Sequence, residues 1–152
     1  MPDTIDPEEL IAKVKAAACA VRTVAPGDVE LAFILGSGLG AFASALDEPQ
    51  RISYGDLPGF PVSTVVGHAG SLVIGSLAGV RVAVFAGRAH LYEGIAPWRA
   101  GMLPRLAKAL GAHTMVVTNA AGAVPGKGLA AGDLMRLTDQ INLQGVNPLV
   151  GG

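Results

Sequence analysis

Two rhythms of apolar positions alternate along this chain. From Asp6 onward, Leu10, Ile11, Val14, Ala17, Ala18 and Val21 recur at helical spacing. Asp6-Pro7-Glu8-Glu9 adds an N-cap acid, proline at the first helical position and a carboxylate three residues after the cap, so a surface helix is predicted to end near Val24, ahead of Pro26-Gly27. Residues 29–35 form a short, mostly apolar run that passes directly into Gly36-Ser37-Gly38-Leu39-Gly40, and 41–46 read as a short helix. The glycine loop is therefore expected to be a strand-to-helix turn. Residues 54–61 are turn chemistry throughout. The β-branched runs 62–66, 71–77 and 81–86, separated by Gly67-His68-Ala69-Gly70 and Ala78-Gly79, are predicted to be antiparallel neighbours.

Gly87-Arg88-Ala89-His90-Leu91-Tyr92-Glu93-Gly94 is too polar for a core and reads as a loop. A helix is predicted over 97–110, with Pro104 bending or breaking it. Residues 114–118 look like another apolar strand, feeding Asn119-Ala120-Ala121-Gly122-Ala123, and 133–141 like a last strand. No internal repeat or low-complexity tract interrupts the alternation. It predicts a single α/β domain over residues 1–152, a three-layer α/β/α sandwich around a mixed β-sheet.

Composition changes this picture in one respect. Of 152 residues, 51% are hydrophobic and only 15% charged, against about 25% charged in an ordinary soluble domain. Apolar surface is therefore expected to be covered by something further, either other subunits or a second half of the same fold. A net charge of −1 and a pI near 6.3 give no long-range field for nucleic acid or an anionic membrane, and neither is expected as a partner. No apolar run is long enough to span a bilayer, and the acidic start is unlike a signal peptide, so a cytoplasmic location is expected. Cys19, the single cysteine, allows no intrachain disulfide and reads as a small buried apolar residue.

Candidate chemistry lies in four polar loops, each following an apolar run: 36–40, 67–70, 87–94 and 119–122. In open α/β sheets ligands gather at the carboxyl ends of strands, so these loops are expected to converge on one crevice. A glycine turn at a helix start offers free backbone N–H groups, and Ser37 adds a hydroxyl. Arg88 and His90 would bring a guanidinium fork and an imidazole to the same guest. Charge-assisted hydrogen bonds of about 1.5–3 kcal/mol each suffice to hold an oxyanion without help from net charge. Each residue also has a plain alternative: a serine in a glycine turn as a turn residue, a loop arginine as a solvated one. His68, between glycines, has no local packing reason to be there. Tyr92 either closes over a sugar or packs, Trp98 belongs to the core or an interface, and His113 is an exposed connector without a role. Three histidines without CxxC or HExxH make no zinc signature, and no metal or cofactor is expected.

Leu35-Gly36-Ser37-Gly38-Leu39-Gly40, then Tyr54 to Phe60-Pro61, Gly67-His68-Ala69-Gly70, Gly87 to Gly94, Thr118-Asn119-Ala120-Ala121-Gly122 and Asp139-Gln140-Ile141-Asn142-Leu143 resemble, in order, the successive signatures of trimeric purine nucleoside phosphorylases. The related methylthioadenosine phosphorylases fit less well. The resemblance implies a phosphorylase/hydrolase-like fold, incomplete at its carboxyl end, in a homo-oligomer, a trimer in the family. It implies purine salvage by phosphorolysis: inorganic phosphate, a co-substrate rather than a cofactor, cleaves purine (deoxy)ribonucleosides to free base and (deoxy)ribose 1-phosphate. By position, Ser37, Arg88, His90 and the backbone N–H of Ala120 would hold phosphate. His68 would lie beside it and order the site, with His68 and His90 as the catalytic pair. Tyr92 would contact ribose, and Asn119 would lie near the site. The family's purine-gripping side chains lie in a second half, so residues 1–152 are expected to show little phosphorolysis by themselves. Ala123 stands where the family has another glycine.

Two other classes compete. Gly36 to Ala41 satisfies the G-x-G-x-x-G/A pattern of an NAD(P)-binding Rossmann oxidoreductase, and Asp56 follows Gly36 by 20 residues, where a ribose-binding acid would be sought. That acid should end a second parallel strand, whereas Asp56 sits among turn residues. A non-catalytic interaction module, docking its sheet onto another chain, is the second rival.

Overall fold

The computed structural model describes residues 4–62 and 70–147. Helix α1, Pro7–Val24, starts where its cap chemistry predicts: the Asp6 carboxylate accepts from the N–H groups of Glu8 and Glu9 at 2.9 and 3.3 Å. Leu10, Ala17, Ala18 and Val21 form its buried stripe. Cys19 departs from expectation and is exposed: it lies one position past Ala18, on the side of α1 turned from the sheet.

Among the described residues five strands form one mixed sheet: β1 (Leu31–Leu35), β2 (Asp47–Ser53), β3 (Ser71–Leu77), β4 (Val80–Ala86) and β5 (Thr114–Val117), in the order β2-β3-β4-β1-β5. Strands β1, β4 and β5 are parallel, with β1 between the other two, while β2-β3 and β3-β4 pair antiparallel. The expected β3-β4 hairpin is present. Its two connecting residues, Ala78 at φ 49° and Gly79 at φ 81°, turn in the sense that matches strand twist.

The helix predicted over 97–110 is split into α2 (Pro97–Ala100) and α3 (Met102–Ala109). Pro104 is the third residue of α3, and its ring crowds the carbonyl four residues earlier, at Ala100, where the split falls. The larger core cluster joins α1 and α3 to one sheet face through Leu72, Ile74, Phe85, Met102 and Leu106, with Trp98 half-buried against it. On the other face Val73, Val82 and Val84 are covered by Ala43 and Leu46 around the 3-10 helix Gly40–Ala45. The sheet is thus flanked on both sides, more thinly on the second.

Three further differences have physical causes. The short helix expected over 41–46 is a six-residue 3-10 helix, too brief to carry a sustained dipole. Strand β2 escapes a periodicity search because it is a charged outer strand, with Asp47, Glu48 and Arg51 exposed and Pro49 next to a register shift. The strand predicted over 133–141 does not form. Residues 119–147 are exposed throughout, so its apolar positions find nothing to bury against, and Asp133 instead closes a turn through its carboxylate and the Ala130 N–H at 2.7 Å. The run expected over 62–66 lies outside the described residues beyond Val62, which is exposed.

Candidate functional site

Because β2 and β4 both run antiparallel to β3, strands β2, β4, β1 and β5 all point their carboxyl ends to one rim of the sheet. Leu35 is level with Ala86, and Ile34 with Val117. The loops leaving β1, β4 and β5 therefore start side by side, about 4.8 Å from strand to strand. These are the loops carrying Ser37, Arg88 and Asn119-Ala120.

Hydrogen bonds fasten them together at Thr118. The Gly36 N–H donates to Thr118 Oγ1 at 2.9 Å, and that hydroxyl donates to the Ile34 carbonyl at 3.1 Å. Arg88 Nη1 donates to the Thr118 carbonyl at 2.8 Å. The backbones come so close that a Cβ on Gly36 would lie 2.7 Å from Asn119 Cα and from the Thr118 carbonyl oxygen, which is why glycine opens this loop. Ser37 beyond it is exposed, and Gly38 turns at φ 86°. Arg88 is half-buried, and one of its five N–H donors is committed to the Thr118 carbonyl.

The rest of the Arg88 loop forms the 3-10 helix Leu91–Glu93, fixed by the His90 N–H donating to Glu93 Oε1 at 2.7 Å and by the Glu93 N–H donating to the His90 carbonyl at 3.0 Å. It sets the rings of His90 and Tyr92 in a stack, 4.9 Å between centroids and 11° from parallel. Tyr92 is 80% exposed, so its ring is not core packing. Ala120 and Asn119 are exposed, and the Asn119 amide donates to the Ala120 carbonyl at 3.2 Å.

His68 lies outside the described residues, and of its loop only Gly70 is placed. Gly70 is buried at the same rim: its carbonyl accepts from the Tyr54 N–H at 3.1 Å, and a Cβ there would run into the Tyr54 ring. Tyr54 in turn donates its hydroxyl to the Gly87 carbonyl at 2.8 Å, immediately before Arg88. Burial pushes the Tyr54 phenol well above its ordinary range, so it stays protonated and keeps donating. Sequence reasoning missed both tethers. Thr118 read as the end of a strand and Tyr54 as turn chemistry; a polar residue closing an apolar run before a glycine loop is the faint signal Thr118 left, whereas Tyr54, after a charged strand, left none.

The loops that leave this rim carry a serine, an arginine and a histidine, donor types suited to an oxyanion. Among the described residues no group of three or more His, Cys, Asp or Glu is placed to hold a metal ion. Two concave features among the described residues lie away from the rim: an apolar groove of about 590 Å³ between α1 and α3, and a hollow of about 140 Å³ beside Asp47, Glu48 and Arg81, at the opposite end of the sheet. The dinucleotide reading fails on topology. Asp56 is exposed in the turn after β2, and β3 and β4 separate β2 from β1, so it cannot serve the Gly36 loop from the next strand.

Comparison with known proteins agrees with this geometry. Residues 30–152 match the family model of the phosphorylase superfamily. The chain is 46% identical over 139 residues to purine nucleoside phosphorylase 1 of Bacillus subtilis (strain 168), covering 91% of this chain and 51% of that protein. It is 48% identical to purine nucleoside phosphorylase 1 of Geobacillus stearothermophilus, covering 83% and 46%. Among solved structures, purine nucleoside phosphorylase isoform 2 of Schistosoma mansoni, in complex with cytosine and ribose-1-phosphate, superposes with a TM-score of 0.72 at 33% identity, over 84% of this chain and 43% of that one. The chain thus spans about half the length of the curated relatives it matches.

Proposed function

This chain belongs to the phosphorylase superfamily, and from that membership we propose that it carries the phosphate and ribose side of a purine nucleoside phosphorylase site. The reaction is phosphorolysis. A phosphate oxygen bonds to C1′ of the sugar while the bond from C1′ to the purine nitrogen breaks; its electron pair leaves with the base, which takes up a proton, and (deoxy)ribose 1-phosphate remains. The transition state is loose and oxocarbenium-like, so a correctly held anion supplies much of the rate by position and charge.

In this reading Ser37, Arg88, His90 and the Ala120 N–H hold phosphate, His68 stands beside it, Tyr92 covers the ribose, and Asn119 borders the site. The observation that carries it is the fastening of the Gly36, Arg88 and Asn119 loops through Thr118 at the carboxyl ends of three adjacent parallel strands. The proposal extends to a homo-oligomer, a trimer as in the family, working in the cytoplasm in purine salvage, with phosphate as co-substrate and no cofactor.

Calorimetric titration of the 152-residue polypeptide with inorganic phosphate is expected to show one saturable site that Arg88→Met abolishes, and with NAD to show none. Binding of NAD in place of phosphate would overturn the proposal.

A further inference from the structure

We infer that Thr118 is a positioning residue of the phosphate site, the single side chain that sets the Gly36 loop at the distance from Arg88 that the anion requires. The inference rests on the phosphate reading above. Its own ground is the bonding of one hydroxyl. Thr118 Oγ1 accepts from the Gly36 N–H at 2.9 Å and donates to the Ile34 carbonyl at 3.1 Å, so both its donor and an acceptor capacity are used, one on the residue just past β1 and one within β1, across 82 and 84 positions of sequence. The Thr118 N–H reaches the same Ile34 carbonyl at 3.0 Å, and the Thr118 carbonyl takes Arg88 Nη1 at 2.8 Å. One residue therefore addresses the end of β1, the start of the glycine loop and the guanidinium at once.

Gly36 has no side chain of its own to hold it, and two more glycines, Gly38 and Gly40, follow within four residues. The backbone there has more freedom than at any residue with a Cβ. What fixes the loop's origin is then the hydrogen bond at its first N–H, since the 2.7 Å limit at Gly36 leaves no space for a side chain there that could hold the loop itself. The carbonyl half of the device works on Arg88: with Nη1 held by Thr118, the guanidinium plane is set, and its remaining donors point as a unit. The hydroxyl does not have to touch phosphate. It holds two groups that do in register, and valine in its place would keep the shape of the strand end while orphaning the Gly36 N–H.

The test compares wild type, Thr118→Val, Thr118→Ala and Thr118→Ser by calorimetric titration with inorganic phosphate, at a temperature where circular dichroism shows each folded. Both hydroxyl-free variants are expected to bind phosphate roughly tenfold more weakly, the scale set by one hydrogen bond, while Thr118→Ser stays within about twofold of wild type. The alanine variant keeps the test available should the valine variant not fold. A purely structural role would lower the melting temperature of the variants and leave their phosphate affinity where it was; that result overturns the inference, as does a serine variant that binds as poorly as valine. Failure of the wild type to bind phosphate is a separate outcome, which overturns the reading of the site and this inference with it.

Discussion

Tyr54 heads the fully buried side chains by volume, and it packs at 5.1 Å against the Phe60 ring while its hydroxyl reaches the Gly87 carbonyl. Burial raises its ionisation above the ordinary value of 10.0, which makes a signed prediction. Below pH about 10 the phenol is neutral both folded and unfolded, and its contribution is fully present; above that the unfolded chain ionises while the folded one resists, so stability is lost as pH rises. Urea melts between neutral pH and about pH 11 should show this alkaline decline in wild type and a shallower one in Tyr54→Phe, which starts about 1 kcal/mol lower at neutral pH for its missing hydrogen bond. Parallel declines in the two proteins would count against it. The contrast between Tyr54 and Arg88 also shows how far a site can be read from residues. Ser37, Arg88 and His90 could be picked out as candidates because they sit in glycine-bearing loops that follow apolar runs. Tyr54 and Thr118 could not be, because their partners are backbone groups dozens of positions away and only the folded approach selects them.

At the scale of elements, what local chemistry decides was legible. Helix α1 follows from its cap and stripe, and the β3-β4 hairpin from two β-branched runs around Ala78-Gly79. Elements whose existence depends on a neighbour were not: β2 is a strand because β3 offers it an edge, and 133–141 is not one because its apolar positions are exposed, with nothing packed on them. The hairpin itself is imperfect. Ala78 occupies the left-handed region at φ 49°, where a Cβ is strained by roughly 1–2 kcal/mol, and asparagine tolerates that region better. Ala78→Asn is therefore expected to stabilise the protein by about 0.5–1 kcal/mol, read as a higher midpoint in thermal denaturation. An unchanged or lower midpoint would mean that the turn does not hold this conformation in solution.

For the whole molecule, the low charge fraction has a structural counterpart. Val117 at the edge of the described sheet is 61% exposed, and Leu134, Ile141 and Leu143 are 85–96% exposed, apolar side chains that a partner surface would cover. Size-exclusion chromatography with light scattering is expected to find the 15.3 kDa polypeptide associated. A sharp monomer peak at high concentration would show that this surface is tolerated. The order of strands across the sheet carries one more consequence. β1 is made first but lies between β4 and β5, which the ribosome delivers some fifty and eighty residues later. A nascent chain must hold both flanks of an apolar strand unpaired through that interval, and the entropic penalty of closing such long loops makes parallel pairing slow. The three loops of the anion cradle can therefore come together only after residues 114–120 have emerged, some eighty positions behind the strand that starts it.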